Sequence, residues 1–360
     1  MEILVSIIGG LVVLWFAIGL LLRGPDLSQY DSPAGERGTS LDRVSRENEE
    51  ARRLLRQMQK GVNSTSFRGR VAQMREVLDR GIPGAAMSAD GLGVAIGDAD
   101  AGGIPAEWVI APNADASRRL LYLHGGAFAA GSPRSHRPIT ARLSKLAGVA
   151  VLAIDYRLMP ENRRIAGILD CQSAYRWILD NGPEGPGAPG ELFVAGDSAG
   201  GNLTLMLIAW IRDEGLRQVD AAVALSPPSD GTSSSPSMRN NVDTDLMLGP
   251  TFGKLANLPR TLILLFTVFA ARMRPTNPLI SPIFGDLSRL PPTLVQVSDS
   301  EMLADDGRRW VNKARGQGSD ARLQTWPGML HVWHAFADTL PEANEALEKI
   351  AAFVSEYAKG

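Results

Sequence analysis

Glu191 to Ala209 reads ELFVAGDSAGGNLTLMLIA, a short apolar run that meets Gly196-Asp197-Ser198-Ala199-Gly200 and passes at once into helix-forming residues. Strand, tight turn and helix form the context in which a G-x-S-x-G serine becomes a nucleophile. In so sharp a turn Gly196 and Gly200 leave room where side chains would collide, and Ser198 is held out at the sheet's edge. The start of the helix supplies the Ala199 N–H and a positive dipole end, both suited to a developing oxyanion. Upstream, His124-Gly125-Gly126-Ala127-Phe128 follows an apolar run ending at Leu123. Its small residues let backbone N–H groups converge near Ser198: Gly126 and Ala127 are the expected donors beside Ala199, with Gly125 and His124 shaping the loop. A hydrolytic serine also needs a base. His331, in Trp326-Pro-Gly-Met-Leu-His331, falls at a turn after the last apolar run. His334 falls where a helix should already have begun, and His136 comes too early in the chain for the late position of the base. Such a set performs acyl transfer through a covalent acyl-enzyme.

The third member of such a set orients the imidazole and stabilises its cation. Ser298-Asp299-Ser300-Glu301-Met302-Leu303-Ala304-Asp305-Asp306 offers four carboxylates in one turn. Some of them must simply be helix-start carboxylates favoured by the dipole, and the residues alone leave the choice open.

These groups need a frame. Apolar runs predict strands at Arg119–Leu123, Val149–Ile154, Leu192–Ala195, Ala221–Leu225, Thr293–Val297 and Leu323–Trp326. Helical periodicity lies between most of them, at Ile139–Leu146, Ile165–Leu179, Asn202–Ile211, Asp305–Gly316 and finally Ala343–Tyr357. Strands alternating with helices predict an α/β fold with a mostly parallel sheet covered on both faces, its ligand site beyond the carboxyl ends of the strands. Earlier in the chain, runs around Val94 and Val109 flank residues 98–102 and read as a hairpin. Helical stripes run from Leu41 to Lys60 and from Phe67 to Arg80. Between Gly231 and Ile280 a Ser-rich loop leads into the apolar run Leu262–Ala271, fenced by Pro259 and Pro275. That run reads either as a lid helix over an apolar cleft or as a plain core helix. Phe128, Met329 and Trp333, close to the motifs, are candidate walls of an acyl or aryl pocket, or ordinary core.

At the N-terminus, Ile3 to Leu22 is uncharged and of membrane-spanning length, with Glu2 before it and Arg23 closing it. A cleaved signal would begin with a basic stretch, so residues 1–23 read as an anchor, with a buried globular helix as the alternative, and residues 24–40, rich in Gly, Pro, Ser and Asp, as a linker. Arg23, Arg37, Arg43 and Arg46 all lie downstream, which by the positive-inside tendency puts the remainder in the cytoplasm.

Composition narrows the rest. A net charge of −2 with both signs interspersed gives no nucleic-acid surface. The single cysteine, Cys171, excludes an intrachain disulfide and reads as a core thiol. Four histidines show no metal-ligand spacing.

With the paired H-G-G-[GA] and G-D-S-A-G motifs in this order, the chain resembles the hormone-sensitive-lipase-like esterases of the α/β-hydrolase superfamily. Gly131–His136, Asp155–Glu161, Leu225–Asp230, Asn277–Pro282 and Asp286–Pro292 match as well, so the resemblance runs from about Leu41 to the C-terminus. It implies an α/β-hydrolase fold over residues 41–360, carboxylester hydrolysis without a cofactor, and a helical cap built from about residues 41–80 and 231–280. It departs from the family pattern at Ala127, which stands for the third glycine. Counting back from Leu303-Ala-Asp305-Asp306, which resembles the family's helix start, Glu301 takes the slot where many members carry an aspartate. The resemblance therefore implies a Ser198–His331–Glu301 triad, with Asp299 as a turn residue. The anchored layout also resembles arylacetamide deacetylase and its relatives, which act on lipid-like or drug-like esters. The same triad would serve an acyltransferase or amidase, and a non-catalytic receptor on this scaffold would be expected to lack His331.

Overall fold

A computed structural model describes residues 2–33, 35–39, 44–59, 67–80 and 91–358. Among the described residues the main sheet has nine strands: β1 (Glu36–Arg37), β2 (Ala95–Asp100), β3 (Pro105–Ile110), β4 (Asp115–Leu123), β5 (Val149–Ile154), β8 (Glu191–Asp197), β9 (Ala221–Leu225), β10 (Thr293–Ser298) and β11 (Ala321–Trp326). Two-residue strands β6 (Asn181–Gly182) and β7 (Gly185–Pro186) form a separate small hairpin. The order is β1-β11-β10-β9-β8-β4-β5-β3-β2, parallel except where β3 meets β2 and β5.

The central strands carry no polar alternation because both faces are covered, so they read as continuous apolar runs. Their side chains nevertheless alternate between two cores. Leu192 and Val194 of β8 face one core with Ile168, Leu207 and Trp310, while Phe193 and Ala195 face the other with Ile139, Leu347 and Ile350. The first core is covered by α5 (Arg164–Ile178), α6 (Ala199–Asp213) and α10 (Ala304–Gly316), the second by α4 (Arg137–Ala147) and α11 (Pro341–Glu356). Cys171 is buried on α5 in the first core.

The predicted hairpin forms, but its turn is Ala101–Ile104. Residues 98–100 pair inside β2 instead of making the turn, because the Ala101 N–H closes onto the Ile104 carbonyl at 2.8 Å. Of the predicted cap helices, α2 spans Arg46–Gln59 and α3 Phe67–Arg80, and Leu41 and Lys60 lie outside the described residues. Arg75 on α3 donates to the carbonyls of Ala129 and Met159, strapping that helix across the loop after β4. The long β9–β10 connection carries α7 (Ser237–Asn240), α8 (Gly249–Ala256) and α9 (Arg260–Ala271).

Residues 24–40 differ from a free linker. Leu27 is buried, Glu36 and Arg37 pair with β11, and Asp31 binds the Arg309 guanidinium at 2.5 Å. A polar, Pro-containing stretch can thus dock as an edge strand, since edge pairing needs backbone groups and not apolar side chains. Ahead of it runs α1 (Glu2–Leu22), which packs on α9. Among the described residues no single helix is long and apolar enough to cross a membrane; Gly9–Leu22 is too short, and α8 with α9 qualifies only as a pair bent by 119°.

Candidate active site

β8 ends and α6 begins with Ser198 between them at φ 50°, ψ −116°, a left-handed turn that lifts its side chain off the sheet. The turn is possible only because neighbouring atoms crowd glycines. A Cβ at Gly200 would collide with the Leu123 carbonyl oxygen, and one at Gly196 would meet the Gly200 backbone at 2.5 Å. The Ser198 N–H is tied to the Leu225 carbonyl at 2.7 Å, which fixes the elbow to β9.

Two loops at the same ends of the strands reach Ser198. After β11, His331 points its Nε2 at Ser198 Oγ at 2.8 Å. After β10, Glu301 accepts from the opposite ring nitrogen, Nδ1, at 2.7 Å. Glu301 is fully buried, and its other oxygen accepts the Ser298 N–H at 3.0 Å. Burial pushes the Glu301 carboxyl up, against the pull of His331. Burial also disfavours a charged imidazole, but the Glu301 carboxylate outweighs it and holds the His331 pKa above the usual 6.5. The histidine is therefore a stronger base than a free imidazole while its Nδ1–H stays directed at the carboxylate.

The neighbouring carboxylates are occupied elsewhere. Asp299 is exposed and accepts the Gly328 N–H at 2.8 Å, which holds the loop leading to His331. Asp305 accepts the Ser237 N–H at 2.8 Å, and Asp306 the N–H groups of Ser229 and Asp230, so both anchor the cap insertion. His334 is buried and directs Nε2 at the Gln296 side chain at 2.7 Å.

The loop after β4 is coiled tightly, with Gly126, Ala127 and Phe128 at φ of 114°, 53° and 61°. Among the described residues the N–H groups of Gly126 and Ala127 have no partner within the chain, and the Ala199 N–H is one of the orphan donors at a helix start. All three are free to meet an oxyanion. Gly125 is not: its N–H is engaged by Asp197 Oδ1 at 3.1 Å and His136 Nε2 at 3.2 Å. Its part is to allow close approach, since a Cβ there would strike the Asp197 carboxylate. His124 stacks on Tyr156 at 4.3 Å, and burial drives its pKa down to about 3, so it is a neutral prop whose Nδ1–H donates to the Gly125 carbonyl.

Ser198, Ala127, Phe128 and Ala199 line one end of a cavity of about 250 Å³. Met238, Leu248, Phe252, Leu255 and Ile263, all from the cap insertion, and Met302 beside Glu301 form its apolar walls. Met329 and Trp333, expected from their position near His331, are not among its walls. Both are buried in the second core, Trp333 against Trp326 at 5.4 Å, because the residues flanking His331 turn back under α11. Phe128, expected as a pocket wall, is one; unanticipated from sequence are the walls at Met238, Leu248, Phe252, Leu255 and Met302, then Tyr122 and His136, which hold Asp197, and Asp245, whose carboxylate accepts the Met302 N–H at 2.9 Å. Only the G-D-S-A-G aspartate itself carried a signal. Among the described residues no His, Cys, Asp and Glu cluster could hold a metal.

The arrangement can activate a hydroxyl, stabilise an oxyanion and receive an apolar group. Comparison with known proteins agrees in kind. A family model described as alpha/beta hydrolase fold matches residues 120–335. An acetyl-hydrolase from Streptomyces hygroscopicus is 37% identical over 264 residues, covering 73% of this chain and 84% of the relative. Esterase LipU of Mycobacterium tuberculosis is 34% identical, covering 68% and 80%. The crystal structure of an esterase from the bacterial hormone-sensitive lipase family superposes with a TM-score of 0.70 at 30% identity, covering 87% and 99%.

Proposed function

The chain belongs to the α/β-hydrolase fold family, among its hormone-sensitive-lipase-like esterases, and is a carboxylesterase-type hydrolase; from that premise we propose that Ser198, His331 and Glu301 carry the reaction through a serine acyl-enzyme. The observation that carries this reading is the unbroken hydrogen-bond line from Glu301 through His331 to Ser198, at 2.7 and 2.8 Å, ending in an apolar cavity.

Ser198 Oγ attacks the ester carbonyl while His331 Nε2 takes its proton. The tetrahedral oxyanion is met by the Gly126, Ala127 and Ala199 N–H groups. Collapse breaks the bond to the alcohol oxygen, which leaves with the proton from His331. Water, deprotonated by the same nitrogen, then attacks the acyl-enzyme; the Ser198 Oγ–acyl bond breaks, Oγ takes the proton back from His331, and the acid is freed. Glu301 stays ionised throughout and balances the imidazolium.

The substrates are esters of small to medium acyl or aryl groups. A cavity of about 250 Å³ lies below the roughly 300–1,000 Å³ typical of drug-sized ligands, and its walls offer carbon rather than hydrogen-bonding groups. α1 serves as a single-pass anchor, with the hydrolase part on the cytoplasmic side. The sequence from Ile3 to Leu22 is uncharged and of bilayer-core length, and the apolar residues from Leu11 to Leu14 on α1 are exposed. Arg23 and the arginines after it favour that orientation.

A series of p-nitrophenyl esters of increasing acyl length tests the reading. Turnover should be high on short and medium chains, fall on long ones, and vanish in Ser198→Ala. An organophosphonate should label Ser198 alone; label on another serine ends the assignment.

A further inference from the structure

α9 is apolar on two faces, which a surface helix of a water-borne protein is not. Its inner face carries Ile263, a wall of the acyl cavity, and Leu264, buried in a groove with Phe16, Gly19 and Leu20 of α1. Its outer face carries Leu262, Leu265, Phe266 and Phe269, spaced i, i+3, i+4, i+7 and exposed by 40, 37, 49 and 69%. One stripe thus builds the pocket and the other meets solvent. α1 extends the exposed surface: Trp15, Ile18, Gly19 and Leu22 are its more covered positions, while Leu11 to Leu14, Phe16, Leu20 and Leu21 are exposed. Far apart in the chain, the two helices touch in space, since Gly19 lies against Thr261. Together they make a continuous apolar area of a kind that marks an interaction surface.

The rim of this area is cationic. Arg23 follows α1 and Arg260 starts α9, and the two line a cavity of about 420 Å³ with Asp26, Ser234 and Arg309, the last paired with Asp31, so that Arg23 and Arg260 leave an excess of positive charge. Arg260 Nε is buried there without a hydrogen-bond partner. At the other end of α9, Arg272 and Arg274 are exposed, Arg272 lying over the Phe269 ring at 4.9 Å. An apolar stripe bounded at both ends by guanidinium groups matches acyl chains bounded by phosphates. The 119° bend between α8 and α9 argues against these helices spanning the bilayer, because α8 folds back to bring Phe252 and Leu255 to the cavity.

We propose that α9 docks with α1 on an anionic phospholipid bilayer, lying at the boundary of headgroups and acyl chains, so that the pocket behind Ile263 takes ester substrates from the leaflet. This rests on the esterase and anchor readings above, and it adds that the cap itself is a lipid contact.

The full-length chain offers a clean reporter, since its single cysteine, Cys171, is fully buried. An environment-sensitive fluorophore on Phe269→Cys should shift to the blue on vesicles of equimolar phosphatidylcholine and phosphatidylglycerol and be quenched by nitroxide-labelled lipid. The same label on Glu356→Cys, at an exposed site on α11, should do neither. A label on Phe269→Cys that stays water-exposed while the protein floats with the vesicles overturns the docking of α9 and leaves the anchor intact. Failure of the parent to float at all removes the anchor reading and the docking with it. In the full chain, Phe266→Asp combined with Phe269→Asp should slow hydrolysis of a vesicle-borne ester by about tenfold or more, as expected when two phenyl groups lose a lipid-facing position. Its hydrolysis of a soluble acetate ester should be unchanged. Equal loss on both substrates, or on neither, refutes delivery from the leaflet, whereas a parent inactive on the soluble ester refutes the esterase reading instead.

Discussion

Asp197 accepts the Gly125 backbone N–H at 3.1 Å, so the residue before the nucleophile holds the loop that supplies the oxyanion donors. The Tyr122 hydroxyl donates to the same oxygen at 2.7 Å, and His136 approaches the other at 3.3 Å. Burial works against charge on Asp197, yet these partners keep its pKa below the ordinary carboxylate value. It is therefore an ionised buried group whose bonds set the distance between two halves of the site.

Asp197→Asn should retain the shape but lose the charge that aligns the loop. One charge-assisted bond is worth about 1.5–3 kcal/mol, so kcat should fall by roughly 10- to 100-fold. KM should move little, because the oxyanion exists only after attack. Tyr122→Phe should show a weaker form of the same pattern. A change confined to KM would place Asp197 in substrate binding instead.

Glu301→Gln should lower kcat by about four orders of magnitude, the scale on which a triad acid acts when its geometry is kept but its charge is removed. Asp299→Asn should cost little activity, because Asp299 is exposed and its carboxylate accepts from the Gly328 N–H and the Ser300 hydroxyl. Its expected effect is a small loss of thermal stability. Steady-state kinetics on one soluble ester decides the ranking, and the reverse order would transfer the role to Asp299.

The pH dependence follows from the direction of the His331 shift. His331 must be neutral to take the Ser198 proton, so kcat/KM should rise with pH and level off above the His331 pKa. Glu301 holds that pKa above 6.5, so the midpoint of the rise should lie on the alkaline side of 6.5. Residual activity in Glu301→Gln should have its midpoint displaced to lower pH, since burial then acts without the opposing carboxylate. A midpoint that does not move would detach Glu301 from the base.

Some of this was legible in the sequence and some was not, for separable reasons. Ser198 and the loop at Gly125–Ala127 were legible because steep turns and close backbone approach demand small residues at fixed spacing. The strands were legible because full burial on both faces leaves uninterrupted apolar runs, as in Val149–Ile154. Met329 and Trp333 misled because nearness to His331 along a loop says nothing about which side of the backbone a side chain takes. The cavity walls other than Phe128 and the 262–271 helix were illegible for a related reason. Met238, Phe252 and Leu255 lie in short helices, and Leu248 just before one, whose sequence pattern says that they are covered, not what covers them. Residues 24–40 have the composition of a linker because pairing at a sheet edge, as at Glu36 and Arg37, leaves no apolar trace.

Leu255 sits on the inner face of α8, half-buried, across the cavity that begins at Ser198. Enlarging it should shorten the acyl chain that fits without touching the triad. In Leu255→Trp the indole adds volume to a space of about 250 Å³, and an acyl group reaching that far would have to displace it or bend. Core overpacking costs roughly 1–3 kcal/mol, which puts the loss in kcat/KM on longer chains at about 5- to 150-fold. The acetate ester, with an acyl group of only two carbons, should be hydrolysed at close to the parent rate. Kinetics on acetate, butyrate and octanoate p-nitrophenyl esters measures the split. A uniform loss on all three would mean that Leu255 supports the cap rather than the acyl chain, and the cavity would then not be the acyl site.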